Sequence, residues 1–363
     1  MSRSALAILS TQNLLHNVGV IREKVKPAKL IAMVKANAYG HGLRSVAARL
    51  SGHVDILGVA SIDEALALRQ AGIHTPIMLA EGVFDPNELI IASTENFHVV
   101  FHTIDQLEWL DKSCCPVPLQ AWVKINTGMG RLGFSLTQAP LAYERLNASP
   151  QIQKPIRLMS HFACADEKDH PLNQEQIKNF CHFTETIKTD YSLCNSAALF
   201  HFPNYHYNYV RPGLALYGVS PIPGVCAEDL KLKPVMTLQT RLISVQIYEK
   251  GTPIGYGARY RCPKKMPVGV VAFGYGDGYP VTAKDGTPVL VNNTQCPLIG
   301  RVSMDMLTVD LRPCPTAQVD DPVILWGTGL PIEQVAAHTH NITWDMLTGV
   351  QHRVKFLWTK TES

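Results

Sequence analysis

Short apolar runs alternate with amphipathic stretches over the first part of the chain. Ile31–Val34, Ile56–Ala60, Ile77–Ala80, His98–His102, Leu119–Ile125, Ile156–Phe162, Tyr191–Cys194 and Tyr209–Leu216 read as eight buried strands. A helix over Thr11–Val25, with Leu14, Leu15, Val18 and Ile21 at helical spacing, precedes the first of them. Ser61–Ala71, Pro86–Thr94, Thr137–Asn147 and Asn173–Lys188 are helical patterns between later strands. Asp63 and Glu64 fall in a first helical turn, where acids favour the helix dipole. Eight strand–helix alternations in roughly 200 residues predict an α/β fold, a TIM-type (β/α)8 barrel in preference to an open doubly wound sheet.

From about Leu230 the period changes. Thr237–Tyr248, Val268–Gly274, Thr287–Val291, Gln295–Leu311 and Asp321–Trp326 are short, rich in Val, Ile and Leu, and broken by Gly, Pro and Asn. Helical periodicity is weak until Pro331–His338. The expected organisation is a barrel over residues 1–228 and a mostly-β domain over 229–363, with the boundary near the Pro221–Lys233 loop.

Composition adds exclusions. A formal net charge of +3, with no basic run interleaved with aromatics, gives no support for nucleic-acid binding. The nine cysteines are scattered, odd in number and without a Cys-x-x-Cys pair, which fits reduced thiols in a cytoplasm. Ala5 to Leu9 is too short for the core of a signal peptide. Tyr191 to Val210 lacks formal charge but carries Asn, His and Pro, so it is no membrane span. The expectation is a soluble cytoplasmic protein.

The barrel reading locates the chemistry, because such barrels place their active sites at the carboxyl ends of the strands. Lys35 ends strand one and is followed by Tyr39, Gly40 and Gly42, glycines that permit a sharp turn and close approach to a ligand. A lysine leaving an apolar strand is placed to lose its charge by desolvation, as a Schiff-base nucleophile requires. On this segment alone the plainer reading, a strand-end lysine whose amine reaches solvent, is the favoured one, and the rest of the chain reverses it. Lys124 lies near the end of strand five, with Arg131 in the following loop, and His161 closes strand six. Asn195 and Ser196 follow strand seven, and Arg211-Pro-Gly213 belongs to the eighth unit. Ser196 and Gly213 match the phosphate site common to these barrels. A phosphate site, an amine-reactive lysine and polar side chains together point to pyridoxal 5′-phosphate.

The motifs that carry these residues resemble those of the alanine racemase family. They are Val34-Lys-Ala-Asn-Ala-Tyr-Gly-His-Gly42, Thr127-Gly-Met-Gly-Arg-Leu-Gly-Phe134, His161-Phe-Ala-Cys-Ala-Asp-Glu167 and Asn195-Ser-Ala197. Arg211-Pro-Gly-Leu-Ala-Leu-Tyr-Gly218, Gly255-Tyr-Gly257, Gly274-Tyr-Gly-Asp-Gly-Tyr-Pro280 and Gly300-Arg-Val-Ser-Met-Asp305 continue the set in the family's order. The first motif is shared with other barrel enzymes that use this cofactor, whereas the last three belong to the racemase and its near relatives.

The resemblance implies a barrel plus a C-terminal β domain working as a head-to-tail homodimer. Lys35 would hold the cofactor covalently and act as one of two bases, with Tyr256 from the partner as the other. Tyr39, Ser196, Gly213 and Leu214 would bind the phosphate beside Asn195, His161 would pack beside the ring, and Arg211 would face the pyridine nitrogen. Arginine keeps its proton, so that nitrogen would stay unprotonated and a weaker electron sink, discouraging transamination. Arg131 would hold the substrate carboxylate, steadied by Lys124, which many members carry as a carbamate. Tyr275, Met304 and Asp305 of the partner would narrow the entrance and favour a small side chain. Some members place a tyrosine where His352 stands, so no role is assigned to it.

Other signals have plainer readings. Gly274-x-Gly276 resembles a dinucleotide loop but lies in the β domain without a following helix, so both are read as turn glycines. His98 and His102 are too far apart along a strand to chelate one ion, and no catalytic metal is expected. Competing functions are a serine or broad-specificity racemase, decided by pocket breadth, and a non-enzymatic cofactor-binding barrel. Such binders lack the second domain that carries Tyr256 and Asp305.

Overall fold

The computed structural model describes residues 4–359. Residues 1–3 and 360–363, the outer ends of the two expected domains, lie outside the described residues. Eight parallel strands close a barrel: Lys29–Met33, Ile56–Val59, Ile77–Leu79, His98–Phe101, Leu119–Lys124, Ile152–Met159, Tyr191–Ser192 and Tyr209–Val210. Closure comes from the pairing of Lys29 and Leu30 with Tyr209 and Val210. The two-residue alternation of each strand sorts side chains into two layers. Ile31, Met33, Ile56, Met78, Val100, Trp122, Met159 and Tyr209 fill the interior. Their outward neighbours, among them Leu30, Ala32, Leu57, Val99 and Val123, pack under the helices.

Helix starts follow local side-chain chemistry. Ser10 Oγ accepts from Asn13 N at 3.1 Å to open Thr11–Val25, and Asp85 caps Pro86–Thr94. Thr103 and Gln106 form a reciprocal capping box at Ile104–Lys112. The caps at Asp85 and Thr103 fix where two helices leave the loops that follow barrel strands, and therefore where those loops at the barrel mouth end.

The second unit is a mostly antiparallel eight-stranded sheet built on the long strand Met236–Tyr248. One of its members comes from the other end of the chain. Leu6–Ser10, assigned from sequence to the barrel, pairs antiparallel with Met236–Gln239 and parallel with Lys355–Thr359. A single cut at 228 therefore does not separate the two units. The stretch expected as one element, Gln295–Leu311, is two strands, Thr294–Ile299 and Leu307–Asp310, parted by the loop that carries Met304 and Asp305. Tyr209–Leu216 is likewise only a two-residue strand, because Pro212 cannot continue a ladder; Leu214–Tyr217 forms a 3-10 turn. No helix among the described residues is long and apolar enough to cross a membrane.

Candidate active site

A cavity of about 560 Å³ opens at the carboxyl ends of the barrel strands. Lys35, Tyr39, Lys124, Arg131, His161, Asn195, Ser196, Arg211, Gly213 and Leu214 all line it. Met33 and Met159 form its floor, and Gly58 makes room for Met33, since a Cβ there would collide with the Met33 sulfur.

The first strand ends at Met33, and the backbone then winds the wrong way for L-residues. Ala36, Asn37, Ala38 and Tyr39 all have φ between 52° and 54°, and Gly40 follows at 79°. Four consecutive left-handed non-glycine residues are costly, so the surroundings must impose them. Glu64 does so from the helix Ile62–Gln70, accepting from Ala36 N at 2.8 Å and Ala60 N at 2.9 Å. Asn37 Oδ1 accepts from Leu43 N at 2.8 Å. The winding turns Tyr39 back over the mouth, where burial pushes its hydroxyl up to about 12 and keeps it a donor at neutral pH.

Lys35 does not sit in the apolar sheath expected from its strand. Its ammonium forms an ion pair with Glu81, Nζ to Oε1 3.0 Å, and both side chains are half-buried. The desolvated amine is that of Lys124, which alternates inward one step beyond Trp122 on its strand. Burial, reinforced by Arg211, Arg131 and Lys35, lowers it to about 8.

Arg211 is buried and anchored through both of its terminal nitrogens. It donates to Ser192 Oγ and the Ser160 carbonyl oxygen, each at 2.5 Å, and to His161 Nδ1 and the Leu193 carbonyl oxygen at 3.3 Å. Burial brings it down to about 10, so it stays cationic at neutral pH. His161 is held neutral, well below its ordinary value, by burial and then by Arg211 and the nearby lysines. Its other ring nitrogen lies 3.4 Å from the Asn195 side-chain nitrogen.

Ser196 and Gly213 form a cradle. Ser196 Oγ accepts from Gly213 N at 2.8 Å and Ala215 N at 3.4 Å, leaving its own proton to donate. A Cβ on Gly213 would run into the Tyr39 hydroxyl, so only glycine lets these groups converge. Tyr39, Ser196 and the start of the Leu214–Tyr217 turn thus present donors around one small volume, and Lys35 lines the same cavity.

Sequence reasoning missed Glu81, although it stands at the end of the third strand where chemistry was expected. It also missed Gln176, a buried amide on the helix Pro171–Thr184. Gln176 Nε2 donates to the His161 carbonyl oxygen at 2.8 Å and to Thr127 Oγ1 at 3.2 Å, and its Oε1 accepts from Ala163 N at 2.9 Å. A glutamine on the apolar face of an amphipathic helix was the available signal.

Two family profiles span the chain: alanine racemase, N-terminal domain, over residues 9–221, and alanine racemase, C-terminal domain, over 235–358. The chain belongs to the alanine racemase family. It is 44% identical over 352 residues to the alanine racemase of Aeromonas hydrophila, covering 97% of this chain and 98% of that protein. An alanine racemase of Coxiella burnetii is also 44% identical, over 359 residues, with the same coverage. Among solved structures, the biosynthetic alanine racemase from Pseudomonas aeruginosa superposes with a TM-score of 0.96 at 38% identity, covering 99% of this chain and 100% of that one. The alanine racemase from Acinetobacter baumannii gives 0.92 at 36%, covering 98% and 100%.

Alanine racemases use pyridoxal 5′-phosphate, and the residues present fit it: a cradle that only glycine can form, an amine at the mouth, and a fixed cation beneath. Four other expected residues lie elsewhere. Tyr256, Tyr275 and Met304 are exposed on the β unit at 70%, 42% and 54%, and Asp305 is bound to Arg353 at 2.8 Å. None of the four lines this chain's cavity.

Proposed function

We propose that this protein interconverts L- and D-alanine with pyridoxal 5′-phosphate and two bases, Lys35 and the Tyr256 of a second copy. Membership of the alanine racemase family supports the reaction. The observation that carries the site assignment is the single cavity joining Lys35 to the Tyr39–Ser196–Gly213 cradle. The cofactor, when bound, supplies an electron sink that weakens the bond between the substrate Cα and its hydrogen.

This chain's residues do the rest. Tyr39, Ser196 and the backbone at Gly213 and Leu214 hold the phosphate, and His161 and Asn195 flank the ring. Arg211, anchored on Ser160 and Ser192, meets the ring nitrogen as a cation that keeps its proton at neutral pH, so it orients the ring without protonating it. Arg131 receives the substrate carboxylate. Lys124, lowered to about 8, offers the neutral amine that reacts with carbon dioxide; a carbamate there would turn its repulsion of Arg131 into attraction.

Inversion needs a proton removed from one face of Cα and returned to the other, so one fixed base serves poorly. Lys35 is on one face. Tyr256 stands exposed on a glycine-flanked turn, Tyr256–Ala258, and a head-to-tail homodimer would bring it to the opposite face of the partner's site with Tyr275, Met304 and Asp305. The product would serve peptidoglycan synthesis in the cytoplasm. Turnover measured against alanine, serine and lysine tests the substrate: alanine should be strongly preferred, and comparable rates with serine would favour the broader-specificity reading.

A further inference from the structure

The mouth of the barrel is dense in cations, with Lys35, Lys124, Arg131 and Arg211 on its wall. The carboxylate that meets them is Glu81, 3.0 Å from Lys35 Nζ. It is held there by its backbone. His102 Nε2 bonds the Glu81 carbonyl oxygen at 2.8 Å, and Gln106 accepts from His102 N at 2.8 Å while donating to the Val83 carbonyl oxygen at 3.1 Å. Gly82 turns at φ 75°, and a Cβ on it would collide with the Val100 carbonyl oxygen and the Gln106 amide. The loop after the third strand is therefore pinned from the fourth strand and the helix beyond it.

A half-exposed ion pair adds little to fold stability, so this anchoring is out of proportion to a structural role. It matters to the lysine. To take up an aldehyde, the Lys35 ammonium first gives one proton to solvent. The amine nitrogen then bonds to the carbonyl carbon, and the carbonyl oxygen leaves as water with the two remaining hydrogens. The ion pair with Glu81 at 3.0 Å must open before that nitrogen can reach the aldehyde.

We propose that Glu81 is a positioning residue that holds the Lys35 ammonium at the rim of the mouth before the cofactor is bound, and so sets how fast Lys35 takes it up. This rests on the reading of Lys35 as the cofactor lysine.

The test follows the rate at which the protein, stripped of cofactor, regains the visible imine absorption when mixed with pyridoxal 5′-phosphate at neutral pH. In Glu81→Gln, which removes the ion pair, loading should be several-fold faster. Glu81→Asp, which keeps the charge, should load at nearly the wild-type rate; a purely steric role would not separate the two. Glu81→Ala should repeat the acceleration and serves if the Gln variant does not fold. Wild-type loading rates in both uncharged variants would overturn the proposal. Imine absorption persisting in Lys35→Ala would instead overturn the reading of Lys35.

Discussion

The ring of Tyr217 stacks on that of Tyr39, centroids 4.9 Å apart and planes 27° from parallel. The Tyr217 hydroxyl also donates to the Met33 carbonyl oxygen at 3.0 Å, so one buried residue braces both the cradle tyrosine and the end of the first strand. Tyr217→Phe keeps the stacking but leaves that buried carbonyl without this donor. It should cost about 1–3 kcal/mol of stability in a chemical unfolding measurement. Cofactor affinity should weaken only modestly, because Tyr39 keeps its ring partner.

Gly213→Ala should strike cofactor binding. The added methyl pushes on the Tyr39 hydroxyl and so falls directly on the cradle. The expected outcome is at least about tenfold weaker binding of pyridoxal 5′-phosphate, equivalent to ~1.4 kcal/mol. Tight cofactor binding in this variant would count against the cradle.

Mixing two inactive variants tests the shared site. Lys35→Ala and Tyr256→Phe each lack one base, yet a mixed dimer contains one complete site. Activity should return on subunit exchange, towards about a quarter of wild type when statistical mixing makes half the dimers mixed. No recovery despite proven exchange would rule out a Tyr256 contributed by the partner.

Deuterium from solvent reports which face each base serves. In Tyr256→Phe, net racemisation should collapse while Lys35 still exchanges the proton on its own face. D-alanine should then take up deuterium far faster than L-alanine. Equal loss of exchange from both enantiomers would point to a single base.

Acid should destabilise the fold over a defined window. Burial lowers His41 and His98 to about 4, and their unfolded value is near 6.5. Each native ring thus binds fewer protons than the unfolded chain between those values, so stability is full above 6.5 and falls as the pH drops toward 4. Each ring accounts for up to about 3 kcal/mol across that window. His41→Phe, which keeps a ring against Tyr217, should make urea unfolding midpoints less sensitive to pH between 7 and 5.

Hydrophobic periodicity alone specified the barrel. Apart from the closing pair of first and eighth, each strand is a short apolar run whose neighbours in the sheet are also its neighbours in sequence, as with Ile31 beside Ile56 and Val99 beside Ala121. Local order therefore predicts spatial order, and the carboxyl ends that carry Lys35, Lys124, His161 and Arg211 follow from strand direction. What sequence could not fix is set by contacts between distant segments. Leu6–Ser10 reads like any amphipathic strand, and only the unpaired edge of Met236–Tyr248 decides that it joins the second sheet. The left-handed turn at Ala36–Tyr39 contradicts local propensity and exists because Glu64 holds the Ala36 amide from the helix Ile62–Gln70. Lys35 and Lys124 are both lysines at strand ends, yet the nearness of Glu81 pairs one while burial among cations lowers the other to about 8. A side chain's charge state depends on what surrounds it in space, and that neighbourhood is assembled only when the barrel closes.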